Sequence, residues 1–186
     1  CIRDRAAPTE QPTPEPDPVQ QLLEEMTLEQ KVGQLFLVRP DSLDLSQTQD
    51  QINDAKADGV TELTDAMRQT LAEYPVGGVV IFGKNLESPQ QITQFLEDLQ
   101  QASDTPLFTA IDEEGGLVAR LANNAAFDLP QYESAAAVGT SGNPEDARAM
   151  GHTIGGYLKE YGFNLDFAPV ADVNTNPDNP VIGTRA

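Results

Sequence analysis

Four short apolar runs punctuate this chain, and stretches of helical spacing separate them. Gln34 to Val38 (QLFLV), Gly77 to Phe82 (GGVVIF), Leu107 to Ile111 (LFTAI) and Phe163 to Ala171 (FNLDFAPVA) read as strands, the second of them a continuous β-branched and aromatic run that suits burial on both faces. Between them the apolar residues recur every three or four positions. Ser88 with Pro89 marks a helix start, with Ile92, Phe95, Leu96, Leu99 and Ala102 on one face. Asn143-Pro144 opens another helix, whose inner face is expected to be Ala147, Ile154, Leu158 and Tyr161, with Gly162 closing it. Thr27 and Gln30 form a capping-box pair ahead of a short helix through Leu28, Val32 and Leu35. Residues 41–74 read as a polar excursion ending in a surface helix through Leu63, Met67 and Leu71.

Strands alternating with helices imply βαβ units with right-handed crossovers, hence an α/β fold around a parallel sheet. An open doubly wound sheet and one half of an eight-stranded barrel both satisfy the pattern. A complete barrel typically takes about 250 residues, and this chain has 186. In either architecture ligands meet the C-terminal ends of the strands. Those ends are polar here: Gly83-Lys84-Asn85, then Asp112-Glu113-Glu114-Gly115-Gly116, then Asp172-Val173-Asn174. A carboxylate at a strand mouth can accept bonds from sugar hydroxyls, hold a metal or move a proton, and paired glycines let backbone approach a ligand.

Charge and motifs narrow the chemistry. With 30 Asp and Glu against 11 Lys and Arg, the net charge is −19 and no basic patch stands out, which excludes nucleic acid as a partner. No apolar run approaches the ~20 residues of a transmembrane helix. No strand is followed by G-x-G-x-x-G and no G-x-x-x-x-G-K-[ST] occurs, so a nucleotide would lack its phosphate cradle. His152 is the only histidine and there is no G-x-S-x-G, which removes multi-His zinc ligation and a serine-hydrolase elbow. His152 is expected on the surface or in packing, Gly155-Gly156 as a point of close helix packing, and the acids at Glu24-Glu25 and between Asp41 and Asp54 as solvated faces.

Residues 1–18 hold five of the 14 prolines and one large aliphatic residue, Ile2. Such a segment reads as an extended acidic spacer, leaving 19–186 as the folded unit. The single cysteine is Cys1. A cysteine followed by a Pro-rich spacer resembles a mature bacterial lipoprotein, which implies a lipidated Cys1, membrane contact through that residue alone and an extracytoplasmic location.

At Leu107 to Leu121 (LFTAIDEEGGLVARL) and at Gly162 to Arg185 (GFNLDFAPVADVNTNPDNPVIGTR), the chain resembles glycoside hydrolase family 3, most closely its bacterial β-N-acetylglucosaminidase branch. The segments MTLEQKVGQLF (Met26 to Phe36) and GGVVIFGKN (Gly77 to Asn85) fall in the same order as in that family. The resemblance implies the N-terminal half, about four βα units, of a (β/α)₈ barrel that is incomplete in this chain. It implies a retaining hydrolase that releases terminal β-linked N-acetylglucosamine from cell-wall or chitin-derived glycans, with no metal or organic cofactor. A β-glucosidase or β-xylosidase of the family, or a tethered sugar-binding lipoprotein without catalysis, are the alternatives.

By position, Asp112 matches the family's sugar-binding aspartate, and Arg120 and Arg185 match its two substrate-binding arginines. Glu113 stands where the family usually has Gln, and Glu114 and Asp172 take structural or loop-shaping roles. The family's nucleophilic Asp and acid/base His are expected beyond Ala186, so no catalytic residue is assigned here and these 186 residues are expected to be inactive alone. An unclosed half sheet is further expected to expose strand edges and apolar helix faces.

Overall fold

The computed structural model describes residues 17–176 and 178–185. Helices α1 (Pro18–Glu25) and α2 (Leu28–Gly33) come first. Asp17 caps α1 through Val19 N–H, and Thr27 and Gln30 form the expected capping box on α2. Then follow β1 (Leu37–Val38), a 3-10 turn (Pro40–Leu43), α3 (Gln49–Asn53), α4 (Asp65–Glu73), β2 (Gly78–Ile81), a second 3-10 turn (Gly83–Asn85) and α5 (Pro89–Gln101). The chain continues through β3 (Phe108–Ile111), β4 (Glu113–Gly115), β5 (Val118–Ala119), α6 (Ala135–Thr140), α7 (Pro144–Glu160) and β6 (Leu165–Asp166).

Strands β1, β2, β3 and β6 form one parallel sheet in that spatial order, with Val38 opposite Val79, Ile81 opposite Ile111, and Ile111 opposite Asp166. Each strand is added on the same side of its predecessor. A doubly wound sheet reverses direction at its switch point, so this order selects the barrel-type winding. Among the described residues the sheet is open, with β1 and β6 at its edges. Strands β4 and β5 pair antiparallel in a separate hairpin just beyond the end of β3.

Residue alternation divides the sheet. Val79, Ile81 and Ile111 join a core with Met67 and Leu71 of α4, Phe95, Leu96 and Leu99 of α5, and Ile154 and Leu158 of α7. Phe108 points to the other face and is half exposed. Helix α5 follows the expected pattern up to its last position: Ser88 accepts from Gln91 N–H, Pro89 sits in the first turn, and Ile92, Phe95, Leu96 and Leu99 are buried, while Ala102, expected on the same face, is the half-buried C-cap.

Several expectations need correction. The first run yields only two strand residues, because Leu35 and Phe36 donate their N–H groups to Val32 and Gly33 carbonyls, extending the end of α2 as a turn. The last run yields Leu165–Asp166; Phe167 N–H still reaches Ile111 O, and Pro169, with no N–H, cannot extend the ladder. Helix α4 is not a surface helix, since Met67 and Leu71 are at most 2% exposed. On α7 the buried face is Met150, Ile154, Tyr157 and Leu158, while Ala147 is exposed.

Gly155 and Gly156 are exposed and a Cβ on either would meet nothing, so they serve no close packing. Asp17 and Pro18, placed in the spacer from sequence, are the N-cap and first residue of α1. Cys1 and the rest of the spacer lie outside the described residues. No described helix is long and apolar enough to cross a membrane.

Candidate functional site

The carboxyl ends of β1, β2 and β3 bring Arg39, Phe82 and Asp112 to one rim of the sheet. The Arg39 guanidinium lies 4.3 Å from the Phe82 ring centre, and that of Arg120 lies 5.6 Å from the same ring. Arg39 also donates to Ile52 O at 2.7 Å. Phe82 therefore serves as a shared platform for two cations.

Asp112 follows β3 directly. The β4–β5 hairpin carries the chain back so that Arg120 Nη2 donates to Asp112 Oδ2 at 2.9 Å, with both side chains partly exposed. The hairpin turns at Gly115 (φ 88°) and Gly116 (φ 63°). A Cβ on Gly116 would stand 2.2 Å from Glu133 O, so this position needs glycine for both its conformation and its space. Asp112 and Arg120, assigned separately from sequence, thus form one pair.

Glu113 is fully enclosed. Its Oε2 accepts from Leu121 N–H at 2.9 Å, and its Oε1 accepts from Ala122 N–H and Tyr157 Oη–H at 2.9 Å each. Its own N–H donates to Asp166 Oδ1 at 3.0 Å. Burial pushes the Asp166 carboxyl up to about 6, helped by the nearby charges of Glu113, Asp112 and Glu114 and opposed by the Glu113 N–H bond. Burial, then the charge of Glu113, likewise raises Tyr157 well above the usual phenol range.

Arg185 does not reach Asp112. It forks onto Glu114, with Nε donating to Oε2 at 2.9 Å and Nη2 donating to Oε1, while its carbonyl accepts from Ala136 N–H. The Glu114 bond pushes the guanidinium still higher. Glu114 therefore does shape a loop, as the partner that holds the Arg185 segment over the hairpin. Asp172 and His152 are both exposed. Behind the hairpin, α6 and α7 enclose a cleft of about 450 Å³ lined by Val138, Met150, Gly151 and Ile154, with Glu113, Glu114 and Asp166 also on its wall.

Lys84 and Asn85, expected at the mouth of the second strand, turn inward instead. Lys84 Nζ donates to Gln51 O and Ile52 O and stands 3.2 Å from Asp41 Oδ1. Asn85 Nδ2 donates to Asp41 Oδ2 and Val60 O, and Val60 N–H donates to Asp41 Oδ1. Asp41 is thus completely buried, which corrects its placement on a solvated face. This knot pins the excursion after β1 to the end of β2 and so fixes the Arg39 and Phe82 side of the rim. Among the described residues no group of three or more His, Cys, Asp or Glu side chains is placed to hold a metal ion.

Residues 27–186 match the model of the glycosyl hydrolase family 3 N terminal domain. Over 132 residues the chain is 36% identical to a β-hexosaminidase A from Pseudoalteromonas piscicida, covering 68% of this chain and 22% of that protein. A β-hexosaminidase from Thiobacillus denitrificans is 33% identical over 130 residues, covering 68% of this chain and 35% of the relative. The solved structure of a family 3 β-N-acetylglucosaminidase from a Paenibacillus species superposes with a TM-score of 0.68 at 35% identity, covering 84% of this chain and 26% of that one. The chain therefore spans about a third or less of the length of these relatives. The structural neighbours have barrel-type N-terminal domains of this family, in agreement with the strand order, and the present sheet corresponds to part of one.

Proposed function

The chain belongs to glycosyl hydrolase family 3, and from that premise we propose that it supplies part of the saccharide-binding face of a retaining β-N-acetylglucosaminidase. Asp112 grips hydroxyls of the terminal sugar, with Arg120 orienting it and Arg185 closing the neighbouring loop. The observation that carries this reading is the state of Asp112. Its Oδ2 is held by Arg120, its Oδ1 accepts no hydrogen bond among the described residues, and its side chain is a quarter exposed at the strand mouth. A fixed, half-engaged carboxylate is a strong acceptor for a sugar hydroxyl.

Retaining hydrolysis also needs a nucleophile on one face of the anomeric carbon and an acid/base on the other. At this rim Glu113 is sealed by three donors and Glu114 by Arg185, so neither is available to attack. We assign both catalytic roles to the part of the family's length that this chain does not span. The names of the β-hexosaminidase relatives and of the β-N-acetylglucosaminidase structure support the choice of sugar. A cell-wall or chitin-derived glycan, and a membrane tether through Cys1 outside the cytoplasm, belong to the same proposal. The latter rests on the lone cysteine and the Pro-rich composition after it.

Titration of the 186-residue chain with N-acetylglucosamine, followed by NMR, should show weak binding that Asp112→Ala abolishes. A chromogenic N-acetylglucosaminide should be turned over only when the remainder of a family catalytic region is joined to it. Binding that survives Asp112→Ala would overturn the assignment. Micromolar binding by the chain alone would favour a non-catalytic sugar-binding protein. Labelling with a radioactive fatty acid that is lost in Cys1→Ser tests the tether.

A further inference from the structure

Asp112 and Glu113 are adjacent but do different work. The side chain of Asp112 faces the rim, whereas that of Glu113 runs into the interior and meets the segment that follows Arg120. Its two oxygens take the consecutive N–H groups of Leu121 and Ala122, so the backbone just after Arg120 is clamped to the backbone just after Asp112. The clamp is anchored twice more, by Tyr157 from α7 on Oε1 and by Asp166 of β6 on the Glu113 N–H.

We propose that Glu113 is a positioning residue that sets the Asp112–Arg120 pair, and that the position requires a carboxylate in this chain. The requirement follows from the donor set. Leu121 N–H and Ala122 N–H approach different oxygens of Glu113, and neither amide can turn into an acceptor. A carboxamide at 113 would aim its NH₂ at one N–H or the other whichever way it is flipped. One clamp would then be replaced by two opposed donors, with a buried N–H left unpaired. Tyr157 could reverse its hydroxyl to suit a carboxamide, but the amides could not. Glu113 thereby sets the geometry of the Asp112–Arg120 pair from beneath the rim.

The proposal rests on the sugar-binding reading of Asp112, and its test separates the two. In NMR spectra of the 186-residue chain, Glu113→Gln should move the Leu121 and Ala122 amide protons upfield and shift the Arg120 Nε–H signal. It should also weaken N-acetylglucosamine binding between about tenfold and a hundredfold, as displaced binding groups do. Tyr157→Phe, which leaves both amide clamps intact, should leave the Arg120 signal in place. If Glu113→Gln does not fold, Glu113→Asp replaces it: it keeps the charge but is one methylene too short to reach both amides, and the Arg120 signal should again move.

An Arg120 signal and sugar affinity unchanged in the variant would overturn the proposal and leave Glu113 a purely structural clamp. A moved Arg120 signal with no sugar binding by the wild-type chain would uphold the positioning role and sink the sugar-binding reading instead.

Discussion

Lys84 Nζ stands 3.2 Å from Asp41 Oδ1, with the Lys84 side chain 6% exposed and that of Asp41 not exposed at all. A buried pair of this kind is a weak source of net stability, but removal of one partner strands the other charge. Asp41→Ala should therefore destabilise the chain by about 3–5 kcal/mol, read from the urea midpoint at constant m-value. The double variant Asp41→Leu with Lys84→Met should cost less than either single change. Equal or additive losses would show that the ion pair is not the element that matters.

Asp166 links stability to pH. Its carboxyl, raised from 3.8 to about 6 in the folded chain, binds its proton more tightly than when unfolded. That contribution is complete below about pH 4 and is lost as the pH rises through 6. At 1.36 kcal/mol per pKa unit the shift would be worth about 3 kcal/mol, and screening of this half-buried group reduces that to the order of 1 kcal/mol. Asp166→Asn, which can still accept from Glu113 N–H, should melt at a less pH-dependent temperature between pH 4 and 7 and be the more stable protein at pH 7. Parallel melting curves against pH for the two proteins would contradict this.

At Gly116 the expected loss is geometric. Alanine there meets a left-handed backbone, which costs about 1–3 kcal/mol, and in addition the Glu133 carbonyl. Because the same turn returns Arg120 to Asp112, Gly116→Ala should weaken N-acetylglucosamine binding as well as lower the melting temperature. Gly142→Ala, also at positive φ but with open space around it, should lower stability alone.

Phe82→Leu keeps an apolar side chain and removes the ring shared by Arg39 and Arg120. Loss of the cation–π contacts should cost about 0.5–2 kcal/mol. It should also broaden or shift the Arg120 Nε–H resonance while the Asp41 knot stays folded.

Several apolar side chains of α1, α2 and the chain after them are exposed, and Leu28, Val32 and Phe36 line one apolar cleft together. Val19, Leu28, Leu35 and Phe36 are 62%, 69%, 79% and 55% exposed. Contiguous apolar surface promotes association. Sedimentation velocity should show self-association rising with concentration, and Leu28→Glu combined with Leu35→Lys should reduce it.

Local chemistry explains which parts were legible in the sequence. Helix α5 could be read residue by residue because its cap, proline and apolar stripe all lie within fourteen positions. Asp112 was legible as a strand-mouth residue and, with Arg120, through the family resemblance, but their pairing depends on a hairpin that opens at Glu113, where no strand was expected. Asp41 was hidden among other acids, and the partners that make its burial tolerable lie at Val60, Lys84 and Asn85. Tyr157 was within reach, since Met150, Ile154 and Tyr157 follow helical spacing. Fixing that stripe on Ala147 and Tyr161 kept Ile154 and Leu158 but missed Met150 and Tyr157. The shortened β1 shows a competing local force, as the end of α2 takes the amides that the apolar run would have given to the sheet.

The strand order bears on how the chain is made. In the sequence β1, β2, β3, β6, each strand after the first pairs with the sheet strand that precedes it. A polypeptide leaving the ribosome amino end first could add each strand to a finished edge as it emerges, with α4 and α5 available to cover the growing core. Until the next segment arrives, the newest edge is the exposed one, so the moment of greatest vulnerability travels along the chain with synthesis.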